Sequence, residues 1–259
     1  MNNTTYETLL FNVVDHIATL TLNRPEQRNA LNLQMCRDLV AVCEHVKTNI
    51  DIRVLLVKAT GNIFCAGADL KERQGMTSAD MLARRVEGFT AYAAIEDLEI
   101  PVIAVMQGPA VGSGGEIAAS CDFVLASTRA GFRYPEVGWG TVGATQRLPR
   151  VVGRRMAKEL LYTGRMVDAV EAKSLGLVNH VFEPDQLEHE ASAMAAAIAK
   201  CNPLTVRLSK KSLDDGLETT RRGAMAIELV AIQENLRHSD WKGAIAEFGK
   251  STTEQENEN

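Results

Sequence analysis

Residues 110–123 read AVGSGGEIAASCDF, and the hand-over from glycines to Glu116 decides how the rest of the chain is read. Gly112, Ser113, Gly114 and Gly115 follow an apolar run and precede another, Ile117 to Ala119. That is the pattern of a strand-to-helix turn, whose mouth presents backbone N–H groups that receive negative charge well. Glu116 then has two readings. It is a first-turn carboxylate favoured by the helix dipole, or, because its apolar neighbours partly bury it and raise its pKa, a proton donor or acceptor near neutral pH.

Outward from that turn, residues 101–108 (PVIAVMQG) and 121–128 (CDFVLAST) read as strands, as do 17–22 (IATLTL) and 53–59 (RVLLVKA). Between them, 32–47 and 78–98 carry apolar residues at helical spacing. This alternation predicts an α/β fold. Past about Val151 the pattern turns helical, ending with candidate helices at 221–238 and 239–250, and only 177–182 (LVNHVF) reads as a strand there. Gly164 and Gly176 occupy C-cap places, and Asp168, Pro184 and Pro203 mark helix starts. No internal repeat has a fixed period. The expected organisation is a core over 1–195 that carries the site, a C-terminal helical region over 196–250, and a polar, disordered tail over 251–259.

Composition narrows the function class. Of 259 residues, 46% are apolar and 24% charged, the profile of a soluble globular protein, and the net charge of −5 weighs against nucleic acid or a membrane as main partner. The five cysteines form no CxxC pair, and Cys36 and Cys43 fall on the inner face of one helix. Thiols acting as small apolar groups in a reducing, cytoplasmic compartment are expected. The N-terminus lacks the basic and long apolar regions of a signal peptide. No phosphate-binding GxxxxGK[ST] occurs, GSGGE does not complete GxGxxG, and Ser113 lacks the GxSxG frame. His16, His45, His180, His189 and His238 show no metal-ligand spacing, so no metal is expected.

Two further segments share the grammar of the first. In FCAGADLKE (64–72), Cys65, Ala66, Gly67 and Ala68 are small, either for tight packing or to let a backbone approach a ligand. Two such turns side by side would form a two-donor oxyanion hole. In FRYPEVGWG (132–140), Pro135 stiffens the chain before Glu136, a turn or helix-start carboxylate or a catalytic one. Asp69 and Glu72 read as first-turn residues of a following helix, and Asp122 as a structural turn residue.

The segments 23–32 (NRPEQRNALN), 64–72, 108–123, 134–140, 145–165 (TQRLPRVVGRRMAKELLYTGR) and 168–181 (DAVEAKSLGLVNHV) resemble, in that order, the enoyl-CoA hydratase/isomerase, or crotonase, family over about residues 6 to 250. The resemblance implies a spiral of ββα repeats and a C-terminal helical region that builds trimers, often paired into hexamers. It implies a coenzyme A thioester as substrate and no separate cofactor. The backbone N–H groups of Ala68 and Ser113 would bind the thioester oxygen. Ala66, Gly67, Asp69 and Leu70, with Gly112 at the second turn, would line the substrate path. Arg28 and Ala30 would lie along the coenzyme tail, with Arg28 placed for its phosphates. Glu116 would activate water and Glu136 would protonate C2, making the protein a hydro-lyase. A 3-enoyl to 2-enoyl isomerase, needing one carboxylate, is the nearest alternative, and a non-catalytic acyl-CoA or RNA-binding protein is the alternative of another class. The sequence departs from the family pattern in three places. Ser113 replaces a usual glycine, the run 137–148 is shortened beside Trp139, and the C-terminus lacks the usual basic, proline-containing ending, which bears on any coenzyme contact by Lys250.

Overall fold

The computed structural model describes residues 6–243 and residue 245. β1 (Leu9–Val14) and β2 (Ile17–Leu22) form an antiparallel hairpin. β2 then pairs in parallel with β3 (Val54–Ala59), and β4 (Val102–Met106), β6 (Phe123–Ser127) and β9 (His180–Phe182) follow in the order β1-β2-β3-β4-β6-β9. β3 and β4 are near-continuous apolar runs because both sheet faces are covered. Alternate residues serve opposite sides. Leu55, Val57, Ala104 and Met106 join the main core with Met35, Leu39 and Val42 of α1 (Leu33–Thr48). Val54, Leu56, Ile103 and Val105 meet Leu187, Ala191 and Ala195 of α6 (Leu187–Ala199) on the other face.

A second sheet orders β5 (Ala110–Val111), β7 (Gly131–Arg133) and β8 (Met166–Asp168), and isolated bridges, Leu31 with Ala68 and Cys65 with Ala110, carry the same pairing back toward the N-terminus. The chain therefore coils. Each turn gives one strand to the large sheet, a short strand or bridge to the small one, and then a helix: α1, α2 (Ser78–Glu96), α3 (Ser113–Ala119) and α4 (Arg147–Thr163). The large-sheet strands of successive turns start at residues 17, 54, 102 and 123, spaced too unevenly to leave a periodic trace in the sequence.

The longer elements lie where the apolar spacing puts them. Asn32 caps α1 by accepting from the Met35 N–H, Thr77 and Asp80 close a capping box on α2, Gly164 ends α4 in the left-handed region, and Asp168 caps α5 (Ala169–Ser174). β1, β5, β7 and β8 add to the expected strands. β8 corrects the expectation of a single strand after residue 151, because three paired residues are too short to show a period. The expected helix after Asp69 is also corrected: residues 70–75 are turns. Asp69 instead accepts from Arg24 at 3.0 and 3.1 Å. Glu72 accepts from Arg84 Nε at 2.8 Å and from the Leu33 N–H at 2.7 Å, so it serves the N-terminus of α1 rather than of a helix of its own. Asp122 is structural, accepting from the Val102 N–H at 2.7 Å.

Cys36, Cys43, Cys65 and Cys121 are buried free thiols, and burial pushes Cys43 and Cys65 up to about 12. The chain divides into two compact units between Ala199 and Lys200, where α6 ends. The second unit holds α7 (Pro203–Leu217), capped by Asn202, and α8 (Arg221–His238), capped by Thr220. Neither helix has a buried residue, and a groove of about 560 Å³ runs between them. Most of the candidate helix at 239–250, with Lys250, and the whole tail over 251–259 lie outside the described residues.

Asn29 holds the first spiral turn to the second. It is fully buried in the left-handed region, accepts from the Arg24 N–H at 2.8 Å, and donates to Thr60 O and Ile63 O at 2.8 and 2.9 Å. Asn29→Ala removes all three bonds and leaves the Arg24 N–H and Thr60 O unpaired, while Ile63 O keeps Gln107 Nε2 at 3.3 Å. It is expected to lower stability by about 2 kcal/mol or more in urea unfolding. A loss under about 0.5 kcal/mol would show that the bonds do not hold the segment.

Candidate active site

Three backbone segments converge. Ala66 N–H donates to Arg28 O at 3.0 Å, Leu31 N–H to Gly67 O at 2.8 Å, and Asp69 N–H to Leu31 O at 3.1 Å. On the other side Val111 N–H donates to Cys65 O at 2.9 Å, and Gly112 N–H to Arg133 O at 2.8 Å. Gly114 must be a glycine, since a Cβ there would sit 2.4 Å from Cys65 O. The N–H groups of Ala68 and Ser113 make no backbone hydrogen bond among the described residues. Ser113 opens α3, so its N–H has no intrahelical acceptor. The two donors share one opening: a Cβ on Gly67, the residue before Ala68, would lie 4.0 Å from Ser113 N.

Glu136 faces that opening. Pro135 sets the chain into a short 3-10 turn, Val137–Trp139, that begins at Glu136. A Cβ on Gly112 would fall 2.6 Å from Glu136 Oε1, so glycine there, at φ +49°, admits the carboxyl beside the second donor. Ala68, Ser113 and Glu136 line one cavity of about 70 Å³ together with Leu70, Arg73, Arg85 and Trp139.

Glu116 projects from the first turn of α3 and is 7% exposed, as its apolar neighbours imply. Its Oε2 accepts from Arg147 Nη1 at 3.2 Å, while Oε1 is buried without a partner. Arg147 also grips Glu96 at 2.7 and 2.5 Å and lies 5.3 Å over the Tyr92 ring. The Ser113 side chain opposes the rise that burial imposes on the Tyr92 phenol. Burial pushes the Glu116 carboxyl above the usual range. Arg147 opposes this and the charge of Glu136 adds to it. Burial also raises Glu136, against its own backbone and Arg85. The buried, unpartnered Tyr134 phenol is raised by burial and by the charges of both Glu116 and Glu136.

The expected residues therefore gather, with differences in detail. Ala66, Gly67, Ala68, Leu70, Gly112, Ser113 and Glu136 line the cavity, whereas Glu116, Arg28, Ala30 and Asp69 do not. Arg28 is exposed, Ala30 O accepts from Arg24, and the Asp69 carboxylate is engaged by Arg24. Sequence reasoning gave no role to Arg73, Arg85, Tyr134 or Arg147. Arg147 stands in the TQRL segment and Tyr134 two residues before Glu136, but neither carries a local pattern of its own. Among the described residues no group of His, Cys, Asp and Glu is arranged to hold a metal, and no helix is long and apolar enough to cross a membrane.

The family model for enoyl-CoA hydratase/isomerase matches residues 13–255. The chain belongs to this family. The Bacillus subtilis (strain 168) protein YngF, whose name as an enoyl-CoA hydratase/isomerase is provisional, is 41% identical over 93% of this chain and 95% of its own. A crotonyl-CoA hydratase of Syntrophomonas wolfei is 36% identical over 94% of this chain and 95% of its own. The crystal structure of an enoyl-CoA hydratase from Bacillus anthracis superposes with a TM-score of 0.91 at 32% identity, covering 95% of this chain and 97% of the other. The spiral described above is the crotonase fold of these relatives, as the sequence motifs implied.

The raised Glu136 carboxyl has a stability consequence. Its folded form holds the proton more tightly than the unfolded chain, so stability falls as pH rises from the ordinary glutamate range, about 4.3, through the raised value. Above that window the cost of the buried charge is fully present. Glu136→Gln should therefore melt at a higher temperature than the unmodified protein at pH 7, with the gain fading as pH approaches 4. A lower melting temperature at pH 7, or a gain independent of pH, would contradict the burial argument.

Proposed function

We propose that the protein hydrates 2-enoyl-CoA thioesters, acting as a hydro-lyase. The observation that carries this reading is the meeting of two backbone donors, Ala68 and Ser113, with the Glu136 carboxyl in one cavity and a second raised carboxyl, Glu116, beside it. Relatives named as hydratases support it. Negative charge builds on the thioester oxygen as water attacks C3, and the two N–H groups stabilise that enolate; one such donor is typically worth ~10²–10³ in rate. Glu116 takes a proton from the water as its oxygen bonds to C3, and Glu136 delivers a proton to C2. The two carboxyls then exchange the proton, which restores both. The chemistry calls for no redox cofactor or metal, and coenzyme A enters as part of the substrate.

One observation favours the isomerase reading: Glu136 lines the cavity while Glu116 stands behind it in the grip of Arg147. A single carboxyl shuttling a proton between C4 and C2 would suffice there. Against it, Glu116 Oε1 and Glu136 Oε2 are both buried without a partner, which suits a water held between them better than an inert ion pair. The apolar residues that α7 and α8 leave exposed, among them Leu213, Met225 and Leu229, suit the trimer-building role implied by the sequence motifs, so a homotrimer or a hexamer of two trimers is part of the same proposal.

Loss of the conjugated-enoyl absorbance of crotonyl-CoA tests the reading directly. Glu116→Gln should lower the rate at least about 10²-fold while thioester binding persists. Equal turnover in variant and parent, or an unmodified protein that shifts a 3-enoyl double bond yet leaves crotonyl-CoA intact, would favour the isomerase.

A further inference from the structure

The cavity beside Glu136 has an unexpected wall. Hydrating a simple enoyl chain requires no cation at the acyl end, yet Arg73 and Arg85 both line this cavity. The nearby Arg84 is a different case: it is buried, paired with Glu72 at 2.8 Å, and donates to Leu31 O at 2.8 Å. Arg85 hydrogen-bonds neutral oxygens, Val142 O at 2.6 Å and Thr141 Oγ1, which fixes its guanidinium to the shortened loop. Arg73 has no hydrogen bond or ion pair from its guanidinium among the described residues, and its Nε is buried without an acceptor. Burial and the like charges of Arg84 and Arg85 all work against its cation. Glu72 offers little compensation, because its two oxygens are engaged by Arg84 and the Leu33 N–H.

We infer that the acyl group of the substrate ends in a carboxylate, which Arg73 receives with Arg85 beside it; the inference rests on the acyl-CoA reading of this cavity. A partly buried cation without a counter-ion is costly, and an incoming carboxylate supplies both the charge and the acceptor that Nε lacks. The phosphates of coenzyme A are the wrong anion for this place. They lie a pantetheine arm away from the thioester, whereas Arg73 shares its cavity with the two oxyanion donors and Glu136, where the acyl carbons react. The substrate class is then the mono-CoA thioester of a short, unsaturated dicarboxylic acid.

Binding of two saturated esters, which cannot be hydrated, separates this claim from the reaction. Calorimetry should show glutaryl-CoA binding at least about tenfold more tightly than butyryl-CoA, the size of one charge-assisted hydrogen bond. The ratio should shrink as salt is raised, collapse to within about twofold in Arg73→Met, and survive in part in Arg73→Lys. Equal affinity for the two esters in the unmodified protein overturns the inference by itself, whatever the folding of the variants. So does a preference that Arg73→Met leaves intact, and so does a failure to bind either ester. Crotonyl-CoA hydration is scored separately: loss of that activity alongside a carboxylate preference would discard the reaction and keep the site.

Discussion

The site depends on how closely residues 65–68 approach the strand-to-helix turn at Gly112. Cys65 O sits where a side chain at residue 114 would be, and the same carbonyl accepts the Val111 N–H. That contact fixes the Ala68 and Ser113 N–H groups at one opening without any side chain taking part. Backbone donors positioned by a sheet do not reorganise as charge develops in front of them, which is the condition for strong oxyanion stabilisation. In the proposed reaction the small sheet, built from very short strands and single bridges, is thus the element with the largest consequence for chemistry.

Onto that rigid frame the fold adds electrostatic tension. Two glutamates and a tyrosine share a poorly solvated region, and three of their oxygens have no partner. Such groups oppose folding, and they persist where reactivity requires them. The compensation is unequal. Glu116 is steadied by Arg147, itself held by Glu96 and stacked on Tyr92, so helices α2, α3 and α4 all bear on one carboxyl. Among the described residues Glu136 has no such ion pair, and it feels Arg85 at longer range. This asymmetry gives the two carboxyls different environments, and the proposed reaction assigns them different roles.

The basic wall follows the same logic. Arg84 is a structural cation, buried and matched. Arg85 and Arg73 extend from the same neighbourhood into the cavity with little or no matching charge. Adjacent residues on one helix thus serve the core and the pocket, because successive side chains on a helix point in different directions.

The sequence by itself determined the longer elements, the motifs that mark the family, and the two small-residue segments that approach each other. Apolar periodicity, helix ends such as Asp168, Pro203 and Gly164, and small residues at close approaches are local signals, written within a few positions of where they act. It also carried Glu136 beside a stiffening proline and Glu116 at a helix start, although local patterns left a structural role open for each. Tertiary structure alone decided the rest. β5, β7 and β8 are too short to show a period and exist through their partners. Asp69 and Glu72 found partners in Arg24, Arg84 and α1 instead of a helix of their own. The grip of Arg147 on Glu116 spans 31 residues, and Arg73 meets Glu136 in one cavity from a distant segment. Charge compensation depends on which groups meet across the fold, and no neighbouring residue records that meeting in advance.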